Sequence, residues 1–176
     1  MLVPTVGALL LLAGLGGTEA RTYRLAWSYQ TGDSVLSVSI SSDGSYIAAG
    51  SYDNRVYLFS RTSSAPLWSY QTGDWVRSVS ISSDGSYIAA GTDYPDSRVY
   101  LFSRTSSTPL WSYQTGDLVL SVSISSDGSY IAAGSYDSRV YLFSRTSSTP
   151  LWSYQTGDSV LSVSISSDGS YIAAGS

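Results

Sequence analysis

Aspartate side chains recur at equivalent positions of this 176-residue chain and are the first candidates for chemistry. Acid–base catalysis by two carboxylates requires environments that separate their pKa values. Aspartates in equivalent turns have nearly identical surroundings, and a turn aspartate ordinarily accepts hydrogen bonds from backbone N–H groups. We therefore predict a structural role for the aspartates of the repeated Ser-Asp-Gly and Ser-Tyr-Asp stretches, which are Asp43, Asp84, Asp127, Asp168, Asp53 and Asp137.

The composition removes most other catalytic groups. The chain has no His, no Cys and no Lys, so serines have no evident activating base and thiolate chemistry is excluded. One or two carboxylates per loop, without an Asp-x-Asp-x-Asp run, would make only a weak Ca²⁺ site. A net charge of -4 offers no basic surface for nucleic acid. We predict that the protein is not an enzyme and holds neither a metal nor a cofactor.

Two residues interrupt an otherwise nearly uniform set of repeats. Residues 72–79 are TGDWVRSV, whereas the equivalent segments have Ser or Leu in place of Trp75 and Leu in place of Arg77. The two are two residues apart on a predicted strand, so we expect both side chains on the same side. With Tyr94 and Asp96 of an inserted loop they form our candidate partner-binding site, because aromatic and guanidinium groups are typical of interaction hot spots. The alternative is that Trp75 fills space between repeats, Arg77 is a tolerated substitution, and the loops differ without function.

A sequence repeat supplies the elements that must position these residues. The heptapeptide WSYQTGD begins at residues 27, 68, 111 and 152, which gives spacings of 41, 43 and 41 residues. Alternating apolar and small polar residues, β-branched and aromatic runs, and Asp-Gly turns predict four short strands per repeat. Helical periodicity is absent after residue 20. The first predicted strands are residues 35–41, 46–50, 55–59 and 67–72.

Four antiparallel strands in 40 to 45 residues is the period of a β-propeller blade. A single four-stranded blade has two apolar faces, which only radial packing against neighbouring blades covers. We expect one tryptophan of each repeat to wedge against the next blade. These tryptophans are Trp27, Trp68, Trp111 and Trp152.

Two motifs carry a family resemblance. The segment ISSDGSYIAAGSYDNRVYLFS resembles a WD40-type blade without its closing Trp-Asp dipeptide. The segment LFSRTSSTPLWSYQTGD is similar to the tryptophan-docking motif of PQQ-like (quinoprotein-type) propellers: it keeps Thr105 and Trp111, but has Ser103 and Ser106 where that family has Asp and Gly. The resemblance covers residues 24–176 and implies an all-β propeller fold. The cofactor, calcium and cysteine features of quinoprotein enzymes have no counterpart among these residues.

The strand count predicts an incomplete ring. Full repeats occupy residues 27–67, 68–110 and 111–151, whereas the partial repeat 152–176 lacks a third strand. We expect either part of a longer propeller or a ring that is completed when chains associate through their strand edges.

The N-terminal residues 1–20 are largely apolar and favour a secretory signal peptide with cleavage after Ala20. The lack of a positive charge in this segment leaves two alternatives, an uncleaved membrane anchor or a mis-assigned start. Residues 1–17 are slightly short for a spanning helix, which needs about 20 residues. We expect the protein to be extracytoplasmic, either secreted or anchored by this segment.

These observations predict a non-catalytic β-propeller scaffold that binds a protein or glycan partner through one loop face. The first alternative is a structural unit that assembles with copies of itself into a ring or filament, and the second is a fragment of a PQQ-like enzyme. A membrane is an expected partner only if the N-terminal segment remains as an anchor.

Overall fold

The computed structural model describes residues 7–15 and 22–176, and within these ranges it contains β-strands and no helix. Two strands form an N-terminal half-blade, three four-stranded antiparallel sheets follow as blades 1 to 3, and two strands form a C-terminal half-blade. The strands are β1 (Ala8–Leu15) and β2 (Thr22–Gln30); β3 (Val35–Ile40), β4 (Tyr46–Ser51), β5 (Arg55–Ser60) and β6 (Pro66–Gln71); β7 (Val76–Ile81), β8 (Tyr87–Thr92), β9 (Arg98–Ser103) and β10 (Trp111–Gln114); β11 (Val119–Ile124), β12 (Tyr130–Ser135), β13 (Arg139–Ser144) and β14 (Trp152–Gln155); and β15 (Ser162–Ile165) and β16 (Ile172–Gly175).

Each Ser-Asp-Gly turn is closed by its own aspartate. Asp43 accepts hydrogen bonds of 2.6–2.9 Å from the hydroxyls of Ser41 and Ser45 and from the Ser45 amide. Gly44 has a φ of 69°, a left-handed conformation that glycine adopts without steric cost. The hydrogen bonds, that from the Ser45 hydroxyl first, lower the pKa of Asp43 to about 2. Equivalent bonds in the other three turns confirm the structural role predicted for these aspartates.

Tryptophan side chains join successive blades, as the sequence predicts. Trp68 of blade 1 packs on Phe102 of blade 2 with ring centroids 5.4 Å apart, and its Nε1 donates a 2.9 Å hydrogen bond to the Arg104 carbonyl. Trp27 and Trp111 make the same pair of contacts with the blade that follows each of them. Because the phenylalanine at each of these joints is fully buried, the joint combines apolar burial with a hydrogen-bonded indole N–H.

Serine hydroxyls join the first strands of neighbouring blades. The amides of Val79 and Ile81 in β7 donate to the hydroxyls of Ser37 and Ser39 in β3, at 3.0 and 3.2 Å. The same two bonds link β11 to β7 and β15 to β11. The small polar residues that alternate along the first strand therefore connect one blade to the next.

The N-terminal half-blade differs from the sequence interpretation, which assigned residues 1–20 to targeting. Within that segment, β1 forms a strand that pairs antiparallel with β2, in the position that the third strand holds in a full blade. The predicted cleavage site after Ala20 lies outside the described residues. In the described part of the chain, no helix has the length and hydropathy needed to cross a membrane. The described sheets form an open arc, in agreement with the predicted incomplete propeller.

We predict that Gly91→Ala destabilises the protein. A methyl group on Gly91 of blade 2 would lie 2.6 Å from Cγ1 of Val119 in blade 3, so the blades would have to separate. Overpacking of this kind lowers the free energy of unfolding by about 1–3 kcal/mol, which urea denaturation would measure. Gly157→Ala is the matched control, because a methyl group there meets nothing within 4 Å. Equal effects of the two substitutions would contradict the close interblade contact.

Candidate partner-binding surface

Trp75 lies in the loop between β6 and β7 and contacts the preceding blade. Its ring meets Tyr52, from the loop between β4 and β5, edge to face with centroids 4.4 Å apart. The side chain nevertheless stays 43% exposed. The loops that join strand four to strand one and strand two to strand three therefore meet at this point, and they present a partly exposed aromatic pair.

Arg77 is held by a carboxylate rather than presented to solvent as a free cation. Its Nε and a terminal guanidinium nitrogen lie 2.7 and 2.5 Å from Oδ2 of Asp93. The Asp93 side chain is only 8% exposed, and that of Arg77 is 33% exposed. Such a pair is held by charge-assisted hydrogen bonds at low solvent exposure.

The prediction that Trp75 and Arg77 share one side through strand alternation does not apply here. Trp75 precedes β7, and Arg77 is the extra residue of a β-bulge between Val76 and Ser78. A bulge redirects the side chain of the inserted residue. As a result Trp75 packs against blade 1, whereas Arg77 pairs with Asp93 within blade 2.

Asp93 and Tyr52 are contributors that the sequence interpretation missed. Asp93 occupies in blade 2 the position that Tyr52 occupies in blade 1. In both blades, the backbone amide at this position donates a hydrogen bond to the carbonyl of the residue just before the first strand. Blade 2 thus replaces both a Leu (by Arg77) and a Tyr (by Asp93) relative to blade 1. Two simultaneous departures from the repeat, one cationic and one anionic, were the signal that could have identified the pair.

Tyr94 and Asp96 belong to the same loop but have opposite surroundings. Tyr94 is 69% exposed and precedes a cis peptide bond to Pro95. Asp96 accepts hydrogen bonds from the hydroxyls of Thr92 and Tyr100, both at 2.9 Å, and from the Gly73 amide at 3.3 Å. Asp96 therefore anchors the loop, and Tyr94 is the side chain that the loop presents.

The role of Asp96 is shared by one aspartate in each full blade. Asp53 accepts from the Tyr57 hydroxyl at 2.6 Å and from the Gly32 amide at 2.8 Å, and Asp137 makes equivalent bonds in blade 3. Burial, followed by the hydrogen bond to the carboxylate, raises the pKa of the bonded tyrosine in every case. These tyrosines are Tyr57, Tyr100 and Tyr141.

The aromatic side chains of these adjoining loops are Tyr52, Trp75 and Tyr94, which we call the aromatic rim. The backbone connects two of its members, because the carbonyl of Trp75 accepts a 2.9 Å hydrogen bond from Asp93, the neighbour of Tyr94. Among the described residues, no three acidic, His or Cys side chains are grouped so as to hold a metal ion. The arrangement suits apolar and stacking contacts on a rim braced by an ion pair.

We predict that Arg77→Leu destabilises blade 2 because it leaves the buried Asp93 carboxylate without its partner. The expected loss in free energy of unfolding is about 1–3 kcal/mol. Arg77→Leu combined with Asp93→Tyr restores the residues of blade 1 and should recover most of that loss. Urea denaturation of both single variants and the double variant gives the coupling energy. Additive effects would contradict an energetically coupled pair.

We predict that the protein loses stability above about pH 10, the ordinary pKa of tyrosine. The folded state raises the pKa of Tyr100, so it binds the phenolic proton more tightly than the unfolded state does. The contribution is therefore complete below the unfolded pKa and declines as the pH rises through the folded pKa. Unfolding free energies at pH 9 and pH 11 would measure the decline, which Tyr100→Phe should reduce. An unchanged decline in that variant would contradict the assignment.

Comparison with known proteins identifies the family. The family model described as outer membrane protein assembly factor BamB matches residues 15–169. No curated protein matches the chain. The family match spans far more than half of the sequence, and the structure repeats four-stranded antiparallel sheets about every 40 residues. The chain therefore belongs to this PQQ-like β-propeller family.

Proposed function

We propose that the protein is a non-catalytic propeller scaffold that binds a protein partner through the aromatic rim. The observation that carries the proposal is the exposure of Trp75 and Tyr94 on adjoining loops of one blade, each at a position where the repeat pattern is broken. Large aromatic side chains contribute much of the binding energy of protein interfaces when a partner desolvates them. Neighbouring anchors, the Arg77–Asp93 pair and the Asp96 network, hold the loops in place before a partner arrives.

The family description favours a protein over a glycan as the partner. It names an assembly factor for outer membrane proteins. A role in handling other proteins outside the cytoplasm agrees with the extracytoplasmic location expected from the sequence. The absence of catalytic activity is a prediction from composition, which lacks His, Cys and Lys. The alternative of a PQQ-like enzyme fragment has no supporting residue on this surface.

Site-specific photo-crosslinking tests the proposal. Tyr94→benzoylphenylalanine places a photoreactive group on the rim, and the purified full chain is irradiated in an extract of the cells that produce the protein. We expect a discrete protein adduct, which mass spectrometry would identify. Trp75→Ser, which installs the residue found in equivalent loops of the chain, should reduce the adduct at least fivefold, because it removes the central ring of the rim.

Thr108→benzoylphenylalanine is the control, since this exposed residue lies in the turn between β9 and β10, on the opposite face. An adduct that forms equally from Thr108, or that is unaffected by Trp75→Ser, would overturn the proposed surface. Oligosaccharide-array binding that Trp75→Ser abolishes, without a protein adduct from Tyr94, would replace the protein partner by a glycan.

A further inference from the structure

The two half-blades carry complementary strands. The C-terminal half-blade consists of strands one and two, β15 and β16, whereas the N-terminal half-blade consists of strands three and four, β1 and β2. The sequence interpretation assigned residues 1–20 to targeting and therefore assigned no third strand to this blade. With β1 in place, the two half-blades together contain the four strands of a full blade.

The register of β1 matches that of the third strand in blade 1. Between β1 and β2, Leu9 faces Tyr29 and Leu11 faces Trp27. Between β5 and β6, the equivalent pairs are Val56 with Tyr70 and Leu58 with Trp68. The correspondence extends beyond the strand. The Thr31 amide donates a 2.8 Å hydrogen bond to the Gly7 carbonyl, and the Thr72 amide donates the equivalent bond to the Asn54 carbonyl. Residues 7–12 thus reproduce the backbone of residues 54–59.

A groove at the C-terminal half-blade has the lining that a third strand would cover. A cavity of about 390 Å³ lies between blade 3 and β16, and its lining includes Trp152, Tyr154, Ile172 and Ala174. Trp152 is 43% exposed, whereas Trp68 and Trp111 pack on a phenylalanine of the next third strand. In β1, the residue equivalent to the phenylalanine of a third strand is Leu12, according to the register of the intact blades. Leu12 is exposed in the structure.

A second unpartnered surface lies at the other end of the arc. Val38 of β3 is 58% exposed, whereas the equivalent Val79 in blade 2 is 6% exposed because β3 covers it. The hydrogen bonds from backbone amides of one first strand to serine hydroxyls of the preceding first strand, which we call the serine ladder, indicate that a preceding first strand is missing beside β3. Each first strand donates two amides to serine hydroxyls of the preceding first strand, and β15 carries the matching pair, Ser162 and Ser164.

Closure within one chain would require four equal steps to complete a full turn. The steps between full blades use the same tryptophan and serine contacts, yet the half-blades form separate sheets rather than one. The four steps therefore do not close the ring within one chain, and closure needs further blades. The described residues supply strands for four blades, so two copies of them supply eight, which is within the usual range for propellers.

We propose that two copies of this chain join head to tail, with β16 of each copy pairing with β1 of the other, into a closed ring of eight blades. The register places Ala174 opposite Leu10 and Ile172 opposite Leu12 of the second copy. Leu12 then fills the groove beside Trp152, and the amides of Val38 and Ile40 bond to serine hydroxyls of β15. The inference is independent of the aromatic rim, and it requires residues 8–15 to stay with the chain rather than be removed at Ala20.

Light scattering after size exclusion of residues 1–176 tests the proposal. We expect twice the 18.7 kDa mass of one chain. Leu12→Asp should raise the dimer dissociation constant roughly tenfold or more, since a carboxylate would enter an apolar groove. Leu67→Asp is the matched control, because Leu67 has similar exposure on the outer strand β6 and no place in the interface. A monomer, or an open series of larger species, would overturn the ring.

Cysteine pairing tests the register independently of folding effects, since the chain has no cysteine of its own. The variant Leu10→Cys with Ala174→Cys should form disulfides between chains on oxidation, because the proposed register places the two residues opposite each other. Leu12→Cys with Ala174→Cys, shifted by two residues, should form at least fivefold less. A disulfide within one chain would overturn the second copy as occupant, and equal yields from both variants would overturn the register.

Discussion

The contact of one tryptophan with the next sheet is the interaction on which this architecture depends. A four-stranded sheet of this composition has two apolar faces, and its stability requires both to be covered. Trp68 covers Phe102 while its N–H finds a carbonyl acceptor, so an amphipathic side chain closes the interface without a buried unsatisfied group. The serine bonds between first strands and the close approach at glycines such as Gly91 reinforce the same interfaces between neighbouring blades.

Local features of the chain predict most of this fold. Strand alternation, Asp-Gly turns and a fixed period define sheets that form between neighbours in sequence, so a one-dimensional pattern contains nearly all the required information. The exception is β1. Its sequence, ALLLLAGL, satisfies both the apolar requirement of a targeting segment and that of a buried strand. The register with β2 is a contact made in three dimensions, which the sequence pattern does not show.

The candidate surface was predicted less completely, for a related reason. The departures from the repeat at Trp75, Arg77 and Tyr94 are visible in the sequence, and the structure places Trp75 and Tyr94 on adjoining loops and Arg77 at the start of β7. Their partners are not visible. Asp93 neutralises Arg77 across a bulge, and Asp96 is occupied by Tyr100, so two charged residues that suggested recognition contribute to the bracing of the loops instead. Pairing between strands determines these roles, and alternation along one strand does not.

The serine ladder has a consequence for how such a chain could change in length over generations. The three joints between successive first strands use the same donors and acceptors, backbone amides of one first strand and hydroxyls of the one before, with no residue reserved for a particular pair of blades. Duplication or loss of a whole 41-residue unit in the gene would therefore create no new type of joint. Insertion of a single residue into a first strand would exchange its two faces and break the joints on both sides. Recombination between near-identical units therefore changes the number of blades without a new kind of contact, whereas a small in-frame insertion can be accommodated in a loop, as in the one that carries Tyr94.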